Sequence, residues 1–415
     1  MTNFNDETTS SQVAIDQFLA KRIALTTSCN DCDTIPKVQN AGSFAADNSA
    51  VQIMHNGIRV ERDGYDGKWM TEVITLLQGH HEPQEELVFH QVLERLKTDS
   101  THPIMMELGS YWCYYSAWFL NNFPHGKAFC IEPNPENLAL GKRNMDLNSF
   151  QATFFQATIG DQSIENVKFE TSENGDSIQI PQESIPSLMS RFGLNSIDIL
   201  HSDIQGAELP MLLGATDLIK KKAIRFLVIS SHHGSISSDD FTHEKCLALI
   251  EDLGGHVIAE HNVFESYGGD GLIVASFDER DKDMLMKISK AKPWESLFST
   301  YGNEVRQEVQ SRRAEVLTLN AMLADLNAML ADKETASKDA HSHYLALNEK
   351  FETQLVNIRT LEIEAAERNK ILENTSELNS SLMHDRQELE LLKKTKLMRW
   401  SNFPRRIYRR LRRVI

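Results

Sequence analysis

Residues 104–132 constrain this chain more than any other stretch, and they read IMMELGSYWCYYSAWFLNNFPHGKAFCIE. An apolar run over 104–108 stops at Gly109, and an aromatic-rich segment of helical length follows. Pro124, His125 and Gly126 break the chain before a second apolar run, 127–131, which stops at Glu132. Strand, turn, helix, turn and strand in this length make one βαβ unit. In such a unit a ligand sits outside the carboxyl ends of the strands, where Glu107, Gly109 and Glu132 fall. A carboxylate ending the second strand is placed to accept hydrogen bonds from both hydroxyls of a ribose. A nucleoside-containing cofactor is therefore expected.

A dinucleotide would require G-x-G-x-x-G, because a pyrophosphate must approach the backbone and rest on a helix N-terminus. Here only Gly109 is present, with tyrosines at 111 and 114, and no P-loop lysine follows. S-adenosylmethionine (SAM), which carries no phosphate, fits better. The segments ELGSYWCYYSAWF, IEPNPENLALGKRN, Ala157-Thr158-Ile159-Gly160-Asp161 and DIQGAELPML from Asp203 resemble the FkbM family of SAM-dependent methyltransferases. The resemblance covers roughly residues 70–280, and DIQGAE is its most specific part. It implies an α/β fold with a Rossmann-like, seven-stranded class I methyltransferase sheet. Glu107, Gly109, Ser110 and Tyr111 would then line the first loop, Glu132 the ribose, and Gly160 and Asp161 the adenine side. Asp203 would lie near the methionine end, with Glu82 close by. Family members often methylate sugar or polyketide hydroxyls, so O-methyl transfer to a glycan or small-molecule acceptor is the implied reaction.

The rest of this region supports the implied sheet. A helix is expected over 134–148, a third strand over 153–158, a fourth over 197–204 and a fifth over 224–229. Helices over 207–219 and 241–253 alternate with them, and 256–264 and 271–277 read as a closing antiparallel pair. Strands alternating with helices mean a parallel sheet covered on both faces.

An alcohol nucleophile must lose a proton, and a base within hydrogen-bond reach assists. Asp203 could orient the cofactor's amino group, offset the sulfonium charge or take the proton, and Glu208 should face the same crevice. Ser230-Ser231-His232-His233-Gly234 follows the fifth strand, and a histidine there is the best base by type. His233 and His232 are both candidates. His201, Asp203, Glu208 and His232 could surround a divalent ion, but their spacing does not require one, and no metal is expected. His80, His81 and Glu82 read better as a helix start with Pro83 in the first turn.

Outside this region the composition changes. The net charge is −16, but residues 393–415 hold ten Lys or Arg and no acid, so the remainder carries −26. An acidic body argues against nucleic acid as a partner. Five cysteines make no disulfide framework in a chain of 415 residues, and Cys29-Asn-Asp-Cys32 lacks a second ligand pair. Neither a signal peptide nor a run of about 18 apolar residues is seen, so a cytoplasmic protein is expected. Residues 1–50 read as a mobile polar arm, 51–100 as a hairpin and helix lid, 101–281 as the methyltransferase domain and 282–303 as a linker.

Residues 304–392 read as a coiled coil. From Val305 to Leu389 alternating steps of four and three visit 25 positions, 17 of them apolar, and LNAMLAD occurs twice in succession. A continuous rod would be on the order of 130 Å long and would join copies of the chain. Residues 393–415 mix basic side chains with Trp400, Phe403, Tyr408 and Leu411, a composition that suits a helix on an anionic membrane surface, at the inner face. Two rival readings remain open at this level: a degenerate methyltransferase-fold head on a coiled-coil scaffold, and a metal-dependent hydroxylase or oxygenase.

Overall fold

The structure is a computed structural model and describes residues 5–171, 176–292, 295–297, 312–313, 315–324 and 338–394. It divides into two units, residues 1–300 and 301–415. In the first unit the apolar runs become the strands β4 (Ile104–Leu108), β5 (Lys127–Ile131), β6 (Thr153–Phe155), β10 (Ile197–Ser202), β11 (Ile224–Ser231), β12 (His256–His261) and β13 (Gly271–Ser276). They form one sheet in the order β12-β13-β11-β10-β4-β5-β6. Only β13 runs against its neighbours; it is antiparallel to both β11 and β12, while β11, β10, β4, β5 and β6 pair in parallel. Numbered from β4, this is the 3-2-1-4-5-7-6 order of a class I methyltransferase sheet. Every residue of β11 is buried, as expected of a strand covered on both faces.

Helices α2 (Lys68–Leu76), α3 (Pro83–Lys97), α4 (Tyr114–Asn122) and α5 (Pro135–Leu147) enclose one core, containing Phe89, Leu93, Tyr114, Trp118 and Phe119. On the other face α6 (Ile185–Phe192), α7 (Glu208–Lys220) and α9 (Thr242–Asp252) enclose a second, built on Leu108, Ile131, Leu188, Leu212 and Leu227. The helix starts follow local chemistry. Asn134 accepts from Glu136 N at 2.9 Å with Pro135 at the first position, and Ser184 accepts from Ser187 N before Pro186.

Four expectations are corrected. The third strand ends at Phe155. Thr158–Ile159 (β7) leaves it to pair with β9 (Ser177–Glu183), which also pairs with β8 (Ile164–Glu170) in a second, three-stranded sheet. In that hairpin β8 is largely exposed and β9 mixes polar residues with Ile178 and Ile180, so no apolar run announces it. Residues 5–50 are not a free arm. Helix α1 (Asn5–Thr27) is followed by a segment that buries Cys29, Cys32, Ile35 and Ala45. Lys21 Nζ donates to Ser296 O at 2.8 Å, and Thr26 Oγ1 to Tyr267 O at 2.9 Å. A few scattered apolar residues suffice here because they pack on a larger body rather than on one another. The expected lid is also part of that body. β1 (Phe44–Ala45), β2 (Asn48–Ile53) and β3 (Arg59–Glu61) form an antiparallel sheet, and Val88, Phe89, Val92, Leu93 and Leu96 of α3 are wholly buried.

The fourth correction lies in the second unit. The described residues are helical at 312–313 and 315–324 and again in α10 (Lys338–Lys394). Positions 316, 319 and 323, and 344, 347, 351, 358, 361 and 365, all on the step pattern, are shielded, but so are 348, 355, 362 and 369 beside it, while Arg368 on the pattern is exposed. Arg313 Nη2 pairs with Glu362 Oε1 at 3.0 Å, which one unbroken helix could not allow across 49 residues. Residues 312–313 therefore lie beside the middle of α10, so a single rod does not form. The basic stretch, except Lys393 and Lys394 at the end of α10, lies outside the described residues.

At the end of the sheet remote from the strand carboxyl termini, buried Asp281 accepts from Arg225 Nε and Nη2 at 2.9 and 2.8 Å, and Asp99 takes the rest of the guanidinium. Removing one partner leaves a buried carboxylate uncompensated. Arg225→Met should lower unfolding stability by about 3 kcal/mol, the smaller end of the usual range because Arg95 still contacts Asp281 at 3.0 Å. Denaturant unfolding checks this, and a change below about 1 kcal/mol would contradict it.

Candidate active site

The crevice opens where β4 and β10 part. Asp203 N donates to Leu108 O at 2.9 Å, so the two loops start in contact. Gly109 has φ +72°, and a Cβ there would lie 1.7 Å from the Asp203 carbonyl oxygen. No other residue fits. The chain then passes through left-handed conformations at Tyr111 (φ 39°) and Cys113 (φ 60°), which are strained for these side chains. That turn brings Tyr111 N to Glu132 Oε2 at 3.0 Å, while Asn134 N donates to Oε1 at 2.9 Å. Glu132 is 4 % exposed, and burial pushes its carboxyl up to about 7 against these donors.

A cavity of about 390 Å³ follows, with Gly109, Tyr111, Glu132, Asn137, Ala157, Thr158, Ile159 and Asp203 in its wall. Phe169 and Glu170 of the unanticipated β8 complete one side. This volume is in the range of small-molecule sites. Gly109, Tyr111, Glu132 and Asp203 thus come together as expected. Ser110 is buried in the same turn but is not in the wall. Gly160 and Asp161 are displaced from it; Asp161 is exposed and its backbone packs against Gly214 of α7, and Ala157–Ile159 take that wall instead. Glu107 lies beneath α4, where Ser116 N donates to it at 3.1 Å and burial pushes it up to about 7. Its place beside His201 follows from the β4–β10 register.

Beyond Asp203 is a charged cluster. His232 Nε2 lies 3.1 Å from Asp203 Oδ1, and its Nδ1 is 2.9 Å from Glu208 Oε1. Burial disfavours the charged ring, but the bond to Asp203, the charge of Asp270 and the bond to Glu208 outweigh it and hold its pKa well above the ordinary histidine value. For Asp203, burial is outweighed by His232, and its carboxyl sits below the usual range. Glu208, fully buried, also accepts from Gly206 N at 3.0 Å, so it fixes both the loop and the ring. His233 does not join them. Its Nδ1 accepts from Ser235 N at 3.2 Å at the start of α8 (Gly234–Ser237), and its ring meets Phe264.

Glu82, placed near the site by resemblance, accepts from Tyr115 Oη at 2.9 Å and faces His81 Nε2 at 3.2 Å. With Gln84, Glu85, His261, Ser266 and Asp270 it lines a recess of about 20 Å³. Asp270, Glu85 and Tyr115 were not singled out in the sequence. For Asp270 a signal existed: it is the last residue before β13, after Gly268-Gly269.

Among the described residues, His201, Asp203, Glu208 and His232 do not converge on one point; His201 Nε2 pairs instead with Glu85 Oε1 at 2.7 Å. Two other groups have ligand-type atoms within 4.8 Å of one another: His55, His80 and Glu86, and Glu107, Cys113 and Cys130. The His55 and His80 rings are stacked at 4.0 Å and 15°, so their lone pairs lie in near-parallel planes and do not meet at one ion.

A sequence model of the methyltransferase FkbM domain matches residues 101–257, which is less than half of the chain. No curated protein matches the chain at a significant level. Solved structures with similar folds include a precorrin-6y C5,15-methyltransferase from Geobacter metallireducens GS-15 (18% identity, 46% of this chain and 87% of that one, TM-score 0.31). Others are a putative O-methyltransferase from Klebsiella pneumoniae (12%, 46% and 79%, 0.31) and M. capricolum TrmK in complex with S-adenosyl-homocysteine (12%, 66% and 97%, 0.28). At these TM-scores the likenesses bear on neither substrate nor mechanism. The strand order, the glycine turn, the Glu132 position and the family match agree: residues 101–257 form a SAM-dependent methyltransferase domain, and S-adenosylmethionine is its cofactor.

With Glu132 on the ribose, Glu132→Ala should weaken S-adenosylhomocysteine binding by about 1–3 kcal/mol through loss of charged hydrogen bonds. Unchanged affinity by calorimetry would remove Glu132 from the site.

Proposed function

We propose that this domain transfers its methyl group to a hydroxyl, borne by a sugar of a cell-surface glycan, at the cytoplasmic face of a membrane. The observation that carries this reading is the cluster of carboxylates and one imidazolium just beyond Asp203, outside the cofactor cavity. S-adenosylmethionine, when bound, supplies an electrophilic methyl group on a sulfonium. The chain must align it, neutralise it and receive a proton. Glu132 would hold the ribose, and Asp203 would set a negative charge beside the sulfonium. His232, kept charged and fixed by Glu208, orients that carboxylate. The recess between Glu82 and Asp270, about 20 Å³, would admit one acceptor hydroxyl. The basic, aromatic stretch 393–415 would hold the chain beside a membrane-linked glycan.

The test uses methyl-tritiated SAM with a purified surface polysaccharide and, separately, with simple phenols. Label is expected in the polysaccharide, as alkali-stable methyl ether. Label in the phenols alone would sink the glycan assignment while keeping O-methyl transfer.

Self-association belongs to the same reading. Leu345, Val356 and Ile363 of α10 are 52%, 59% and 61% exposed, and at about 100° per residue they lie along one face. An apolar line left open on a helix suits a second copy of it. Light scattering should give a dimer or larger species for the full chain, and Val356→Glu with Ile363→Glu should give a monomer. A monomeric parent chain would contradict this.

A further inference from the structure

We propose that Asp270 takes the proton from the acceptor hydroxyl; the assignment rests on the hydroxyl-transfer reading above. Asp270 ends the loop before β13, the antiparallel strand, and so reaches the crevice from the side opposite the first cofactor loop. Its Oδ1 stands 3.7 Å from His232 Nε2, the same nitrogen that meets Asp203 at 3.1 Å. The two carboxylates therefore flank one ring nitrogen, Asp203 in the wall of the cofactor cavity and Asp270 in the neighbouring recess.

The other groups of the right type are already committed. His232, its pKa held well above the ordinary histidine value, faces Glu208 Oε1 at 2.9 Å and Asp203 Oδ1 at 3.1 Å, so it stays charged and is no proton acceptor. Asp203 is ion-paired with His232 at 3.1 Å, and its carboxyl is held below the usual range, which makes it the weaker base. Glu82 accepts from Tyr115 and is ion-paired with His81, both through Oε2, and His201 is buried against Glu85. His233 caps α8. Among the described residues the Asp270 carboxylate makes no hydrogen bond, only the 3.7 Å approach, and it is 31% exposed. The recess beside it, about 20 Å³, accommodates a single oxygen of water size.

The step balances without a metal or a further reactant. The acceptor O–H proton passes to Asp270, and the oxygen's electron pair forms the bond to the methyl carbon. The carbon–sulfur pair stays on sulfur, so a sulfonium becomes a thioether. His232 keeps its proton throughout and stabilises the Asp203 and Asp270 charges. Burial pushes the Asp270 carboxyl up to about 7; His232 and Arg22 pull against this, while Asp203 and Glu82 add to it. Tyr65, across the crevice, feels the same charges. A base must be unprotonated to act, so the rate should rise with pH towards about 7 and then level.

The experiment compares the full chain with Asp270→Asn and Asp270→Glu. Tritiated SAM is the donor, a panel of methyl glycosides of hexoses and 6-deoxyhexoses the acceptors, and S-adenosylhomocysteine affinity is measured by calorimetry. Asp270→Asn should lose about 10²–10⁴-fold in kcat and the rising pH limb, with affinity within about threefold of the parent. Asp270→Glu should recover part of the rate. Full activity in Asp270→Asn overturns the assignment, as does a loss of affinity that parallels the loss of rate. If the parent chain methylates neither glycosides nor phenols, the hydroxyl reading fails and takes the assignment with it. A separate readout needs no acceptor: the Asp270 carboxyl, followed by ¹³C NMR in the S-adenosylhomocysteine complex, should titrate near 7, and a midpoint about 4 overturns the proposal.

Discussion

The site depends on one close approach. β4 and β10 leave the sheet side by side, and their loops cross with the Asp203 carbonyl where a Gly109 side chain would have to be. The absence of a Cβ lets the loops touch before they diverge, and the divergence makes the cavity. The left-handed turn through Tyr111 and Cys113 then points a backbone N–H at Glu132, which fixes that carboxylate at the end of β5. A larger residue at 109 would push Asp203 outward, and with it the His232 pair that Asp203 anchors. Shape at one end of the crevice and charge at the other thus share a single backbone contact.

The second constraint is electrostatic. Asp203, Glu208 and Asp270 lie about one histidine, His232, and together hold it charged. Burying several carboxylates together is tolerable only if a cation stays among them. Because His232 must serve as that cation, it is a poor proton acceptor. A histidine just past a strand end suggests a base by type, but its partners give it a different task, and the carboxylate left without donors is the better candidate.

Much of this was legible in the sequence, for definite reasons. Strand runs buried on both faces, such as 104–108 and 224–229, are marked by the glycine or polar residue that ends them; their alternation with helices indicated a parallel sheet, and the seven strands were implied by the family resemblance. Gly109 and Glu132 were legible because each ends a strand. The alternation of steps over 305–389 marked part of the shielded face of α10, but periodicity does not record whether a helix is continuous, and the Arg313–Glu362 pair was needed to show that 312–313 lies beside α10. The β8–β9 hairpin was invisible because β8 is mostly exposed and β9 buries only Ile180 and Glu183, so neither carries an apolar run. Residues 5–50 looked like an arm because their few apolar side chains pack on another element rather than on one another. The choice between His232 and His233 was not available from two adjacent histidines: it turns on which ring meets Asp203 and which caps a helix.

The most direct test of the account is a calorimetric titration of the full chain with S-adenosylhomocysteine, beside Gly109→Ala with its fold checked by circular dichroism. The expected result is one saturable site per chain in the micromolar range, abolished in a folded Gly109→Ala. A folded parent chain that does not bind, or a Gly109→Ala that binds as well as the parent, would contradict the claim that the Gly109–Asp203 contact creates the cofactor site.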